Sequence, residues 1–184
     1  MKHVVIPVIA LLSVRALAGD FRVLEFGASC ADVAGQEAAL GATQVKPRVE
    51  GMGLLAFEGE AFGRRLDFFY FCPEDVLFAG DYFFPSQPLA DAVASYEAMH
   101  RKLSAIYGAS VLDNSPWMQP TVDSRRLETD PLKYMTTWGS PRVSIAMIFL
   151  PSLPEQPPGW RVAIHFGEAV GARSNKSLER TRGR

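Results

Sequence analysis

Residues 88–107 read PLADAVASYEAMHRKLSAIY. Leu89, Val93, Tyr96, Leu103 and Tyr107 recur at the spacing of one helical face, so the stretch predicts an amphipathic helix. Pro88 suits its first turn, Arg101 and Lys102 favour its C-terminal half through the helix dipole, and Gly108 can end it. This stretch decides the fold because it stands between two sets of strand signals. Ahead of it lie GLLAFEG (53–59), RRLDFFYFC (64–72) and DVLFAGDYFF (75–84), rich in aromatic residues and broken by Gly, Pro and acidic turn residues. After it come KYMTTWG (133–139), RVSIAMIFL (142–150) and WRVAIHF (160–166).

A second helix is predicted from SCADVAGQEAALG (29–41), with Ser29 as N-cap, Asp32 three residues on and Gly41 at the stop. FRVLEF (21–26) ahead of it reads as a strand. The expected fold is therefore α+β: two helix-plus-three-strand units, 21–84 and 88–167, with the helices packed on an antiparallel sheet inside one domain spanning 19–170. In that order the chain resembles the tandem helix-plus-meander architecture of β-lactamase-inhibitor-like proteins and the related small modules of bacterial outer-membrane assembly lipoproteins. The resemblance covers residues 29–167 in element order. It implies an exported protein that acts by binding other proteins, and it assigns no functional residue. No cysteine follows the N-terminal apolar run, so the lipoprotein branch is not matched at that point.

The ends of the chain read differently from its middle. MKHVVIPVIALLSVRALAGD (1–20) has a cationic start, an apolar run from Val4 to Val14 and small residues at Ala16 and Ala18. That layout predicts a signal peptide over 1–18 and export to the periplasm or beyond, and the run is too short for a stable membrane anchor. Residues 171–184, GARSNKSLERTRGR, hold five basic residues against Glu179 and one large apolar side chain, Leu178, so they read as a basic solvated tail. Residues 19–170 carry twelve Lys and Arg against nineteen Asp and Glu, a net charge of −7. An acidic body repels polyanions, which argues against a nucleic-acid partner.

Cys30 and Cys72 are the only cysteines, and an even count in an exported chain predicts a disulfide between them. The sequence has no G-x-S-x-G turn, no H-E-x-x-H, no Gly-rich phosphate loop and no metal-spaced cysteine set, so no cofactor or metal is expected. His100 and His165 are the histidines beyond the leader, and each has a carboxylate nearby in sequence, Glu97 and Glu168, that would orient it as a general base. Without a catalytic signature they read as partly buried structural histidines. DNSPWMQP (113–120) is a turn-rich loop that presents Trp117 and Met118, residue types enriched at binding hot spots, and these two are the candidate binding residues. PSLPEQPPG (151–159) reads as a rigid hairpin loop.

In LDFFYF (66–71) one strand face holds Leu66, Phe68 and Tyr70 and the other Asp67, Phe69 and Phe71. Aromatic residues on both faces mean that helices cover one side and something else meets the other. The sequence thus points to a non-enzymatic protein-binding module of the inhibitor or immunity type. The alternative is a small periplasmic hydrolase or lipid-binding protein built around His100 or His165. An apolar cavity beside a histidine would favour the latter, and an exposed aromatic patch over a filled core the former.

Overall fold

A computed structural model of the protein describes residues 25–47, 53–115, 134–152 and 156–169. The predicted signal peptide, the basic tail, and Trp117 and Met118 lie outside the described residues. Helix α1 spans Cys30–Ala39 and helix α2 Leu89–Tyr107; the strands are β1 Thr43–Val45, β2 Leu54–Ala61, β3 Arg64–Phe71, β4 Ala79–Phe83, β5 Leu112–Asp113, β6 Met135–Gly139, β7 Val143–Pro151 and β8 Trp160–Glu168. All eight strands form one sheet in the order β1-β2-β3-β4-β8-β7-β6-β5, every pair antiparallel.

The two helix-plus-three-strand units expected from the sequence are not what the chain adopts. Four strands follow each helix, and the halves are fused into a single eight-stranded sheet through the β4·β8 seam. The two strands absent from the expectation, β1 and β5, have three and two residues and are the sheet edges. Such short segments carry no measurable alternation, and short edges are a common defence against edge-to-edge association. Of FRVLEF, residues 25 and 26 lie in a turn rather than a strand.

Local chemistry sets the elements. Ser29 accepts from the Asp32 N–H while the Asp32 carboxylate accepts from the Ser29 N–H, a reciprocal cap on α1, and Gly41 follows at φ 79°. The β2–β3 hairpin turns through Phe62 at φ 56° and Gly63 at φ 74°. A bulky residue at positive φ is strained. Phe62 is held there by an edge contact with Tyr82, ring centroids 5.4 Å apart, and by the Lys102 ammonium, which donates to its carbonyl at 3.1 Å.

Both helices cover the same sheet face. Alternation puts Phe57, Phe68, Tyr82, Ile164, Met147 and Thr136 in one cross-strand row on that face, and all six are buried. Tyr70 donates to the buried carboxylate of Glu37 on α1, and Tyr96 of α2 reaches Thr136 Oγ1 at 2.9 Å and donates to the Met147 carbonyl at 3.1 Å. The α2 face turned inward is centred on Ala92, Tyr96, Met99 and Leu103, with Leu89, Val93 and Tyr107 packed at its margins.

The expected disulfide is absent. Cys30 and Cys72 are free thiols, Cys30 Sγ donating to the Cys72 carbonyl at 3.6 Å. Burial, with the Cys30 thiol beside it, pushes the Cys72 thiol up to about 12, so a tightly folded core, rather than a covalent staple, joins α1 to the end of β3. A thiol reagent applied in denaturant without reductant is expected to modify both cysteines, whereas Cys72 stays protonated and unreactive in the native protein. Finding neither cysteine modified in denaturant would show that they are bridged.

Candidate functional site

The sheet face opposite the helices is not covered by any helix among the described residues, and strand pairing turns its side chains into rows. One row runs Glu58, Asp67, Phe83, Ala163, Ile148, Met135 from β2 to β6; the next runs Ala56, Phe69, Asp81, His165, Ala146, Thr137; a third runs Leu54, Phe71, Ala79, Gly167, Ser144, Gly139. Large rings therefore occupy the β3–β4 half, and small residues line the β8–β7 half of the third row. Phe69 and Phe83 sit diagonally across β3 and β4 and meet edge to face, centroids 5.5 Å apart and planes at 86°.

A half-open pocket of about 360 Å³ lies over this aromatic half. Its floor is Phe69, Phe71 and Phe83, and Leu150, Pro151 and Gln156 from the β7–β8 hairpin close one side. The volume falls within the range of ligand pockets, and the lining is apolar with a few convergent polar groups, the usual composition of a binding site. Asp67, Asp81 and Arg161 are those groups.

Arg161 is 6% exposed, which for a cation requires compensation. Its Nε donates to the Phe84 carbonyl at 3.0 Å, its guanidinium carbon stands 4.9 Å from the Phe83 ring centroid, and its head lies 3.5 Å from the Asp67 carboxylate. The guanidinium thus forms a fixed charged wall on a mainly apolar pocket. Arg65 and Glu58 pair at 2.6 Å further out, but both are well exposed and add little stability.

On the neighbouring row His165 Nδ1 is 2.7 Å from Asp81 Oδ1. His100 meets a different partner, its Nε2 lying 2.9 Å from Asp113 Oδ2. The expected partners Glu97 and Glu168 hold neither imidazole: Glu97 lies 3.8 Å from Arg101, one helical turn on. On β8 an odd spacing sends Glu168 to the face opposite His165, so the imidazole meets Asp81 across the sheet instead; on α2 Glu97 turns to Arg101 while His100 reaches Asp113. The histidines are not brought together, since His100 belongs to α2 on the covered face and His165 to the open one.

Asp113 anchors a separate network under α2. Its Oδ1 accepts from the Ser115 N–H at 3.0 Å, from the Ser115 hydroxyl and from Thr136 Oγ1 at 3.1 Å. Burial alone would raise the Asp113 carboxyl, but the bonds from Ser115 and Thr136 and the nearby His100 outweigh it and hold it below the usual value. Burial also pushes the Tyr96 phenol up, so it serves as a neutral hydrogen-bonding group beside Thr136. This network is structural: it ties the short β5 edge to α2 and β6.

Of the expected site residues, Cys30 and Cys72 pack on the helix-covered side, away from the pocket. Phe69, Phe71, Phe83, Asp67, Asp81 and Arg161 were not singled out by motif. Asp67, Phe69 and Phe71 were signalled by the aromatic residues on both faces of 66–71, and Phe83 by the aromatic run of 75–84; nothing in the sequence marked Asp81 or Arg161. Among the described residues no group of three or more His, Cys, Asp or Glu is placed to hold a metal ion, and no helix is long and apolar enough to cross a membrane. No family model matches the chain, and no curated protein or solved structure matches it either.

Proposed function

We propose that the protein is an exported binding module whose recognition surface is the open sheet face, and that its ligand is a protein segment presenting an apolar side chain next to a lysine or arginine. The observation that carries this reading is the half-open pocket floored by Phe69, Phe71 and Phe83. A core already filled on the helix side does not need three more rings on the other face, and clustered aromatic residues around a recess are the anchor sites of protein interfaces. Charge complementarity selects the partner. Asp67 and Asp81 border the pocket against one guanidinium in its lining, Arg161, which is already turned to Phe84 and Asp67; Glu58 beyond them is matched by Arg65, and residues 19–170 together carry −7.

Selection of a random peptide display library against the full-length protein is the test. Enriched peptides are expected to pair an aromatic or large aliphatic residue with an adjacent Lys or Arg. Their affinity should fall about 10-fold or more in Phe83→Ala, the truncation of one anchor ring, and fall with added salt. Peptides that bind Phe83→Ala and the parent equally, or a selection without enrichment, would overturn the reading.

A further inference from the structure

We propose that Ser144, His165 and Asp81 form a nucleophile, base and carboxylate array on the same open face, and that it hydrolyses carboxylic esters bearing an apolar group. This activity goes beyond the binding of a protein partner and does not depend on it. Three adjacent strands bring together residues far apart in the chain: Asp81 of β4 pairs with His165 of β8, and Gly167, two residues further along β8, pairs with Ser144 of β7.

Asp81 and His165 form the carboxylate–base link of a hydrolytic triad, and Ser144 stands beside the free end of the ring. Asp81 Oδ1 lies 2.7 Å from His165 Nδ1, and its side chain is only 17% exposed, so it orients the imidazole from a sheltered position. The other ring nitrogen, Nε2, leans over Gly167. A Cβ placed on Gly167 would stand 3.2 Å from Nε2 and 3.4 Å from Ser144 Oγ, so both atoms border the same small space, which exists because residue 167 has no side chain. Ser144 is exposed, and its hydroxyl donates to the Gly167 carbonyl at 3.3 Å. Rotation about its Cα–Cβ bond, inexpensive for an exposed serine, releases Oγ from that carbonyl.

In the proposed reaction Ser144 Oγ bonds to the ester carbonyl carbon while its proton passes to His165 Nε2. The tetrahedral adduct collapses, the carbon–oxygen bond to the alcohol breaks, and His165 returns the proton to the departing alkoxide. Water then attacks the acyl-serine, His165 taking one of its protons and giving it back to Ser144 Oγ, so a carboxylic acid and an alcohol leave and the enzyme is restored. Asp81 accepts from His165 Nδ1 and transfers no proton, so it is a positioning residue. The substrate class follows from the row that holds the nucleophile. Gly167 and Ala79, next along that row, carry no bulky side chain, the row continues to Phe71 and Leu54 in the apolar pocket, and Asp81 belongs both to the array and to the pocket lining, so an apolar substituent of an ester held at Ser144 lies toward a greasy recess.

The test uses full-length protein, a fluorophosphonate probe and p-nitrophenyl butyrate. Mass analysis is expected to find one probe adduct, on Ser144. Ester hydrolysis should fall about 100-fold or more in Ser144→Ala and in His165→Gln, the scale of loss for a nucleophile and its general base. Asp81→Asn should lower the rate and move the acid limb of the pH–rate profile, a change that a purely structural role would not produce. Gly167→Val, which keeps all three groups but fills the space between them, should abolish labelling; Ser144→Ala, a change at an exposed hydroxyl, gives the same information should Gly167→Val not fold. Absence of an adduct on Ser144, or hydrolysis unchanged in Ser144→Ala, would overturn the proposal.

Discussion

Replacing Phe68 by Ala is expected to lower the stability of the folded protein by about 3–5 kcal/mol. Phe68 is fully buried on the helix-covered face and meets Tyr82 edge to face, centroids 5.2 Å apart; Tyr82 in turn contacts Phe62 and Phe166 in the same manner. Truncation removes the ring's transfer free energy and leaves a cavity that sheet and helices fill poorly, since both are fixed by backbone hydrogen bonds. A loss of that size is a large share of the 5–15 kcal/mol typical of a domain. The adjacent Phe69→Ala should cost only about 1 kcal/mol, because its ring is half-buried on the open face. Urea unfolding midpoints of the two variants check the contrast. Equal losses would mean that both faces are equally filled, and the open-face site would have no basis.

Asp113→Ala is expected to cost about 1–3 kcal/mol at neutral pH. The substitution takes one acceptor from the buried Ser115 and Thr136 hydroxyls, which still meet each other at 3.2 Å and, through Thr136, Tyr96 at 2.9 Å, but it removes the acceptor of the Ser115 N–H, and a buried donor left without its partner costs about 1–3 kcal/mol. The effect depends on pH in a definite direction. The folded protein holds this carboxyl below its ordinary value, so its contribution is complete above the unfolded pKa of about 3.9 and is lost as pH falls through the lower folded value. The difference between parent and Asp113→Ala should therefore shrink on going from pH 7 to pH 3 or below. A difference constant over that range would show that the network is held by shape rather than by the ionised carboxylate.

The open face owes its character to a competition that both variants probe. Helix α2 and helix α1 supply enough apolar surface to cover one side of eight strands, and the chain places Tyr70, Tyr82, Trp138 and Phe149 there, all buried. On the opposite side the sheet keeps Phe69, Phe71 and Phe83 only half-buried, next to the polar side chains of Asp67, Asp81 and Arg161. Rings that are partly wet contribute less to folding than buried ones and keep free energy available for association.

Much of the local chemistry was legible in the sequence, although the strand expected at FRVLEF is not seen at residues 25 and 26 and the buried stripe of α2 is centred on Ala92, Tyr96, Met99 and Leu103 rather than reaching Leu89, Val93 and Tyr107. The Ser29 and Asp32 cap, the glycine after α1, the helical period of α2 and the two-faced aromatic pattern of 66–71 were all readable, because each depends on neighbours within one helical turn or one strand period. The strands β2, β3, β4, β6, β7 and β8 fall where their β-branched and aromatic runs place them. Tertiary structure alone decided the rest. Pairing of β4 with β8 fused the halves into one sheet, added edges too short to show a period, and left Cys30 and Cys72 as neighbours without a bond. It also set Asp81 beside His165 and Arg161 beside Asp67, partners separated by most of the domain in sequence. Periodicity tells which face of a strand a side chain occupies, but the identity of its neighbour across the sheet is fixed by register, and register is set by the pairing of the whole sheet.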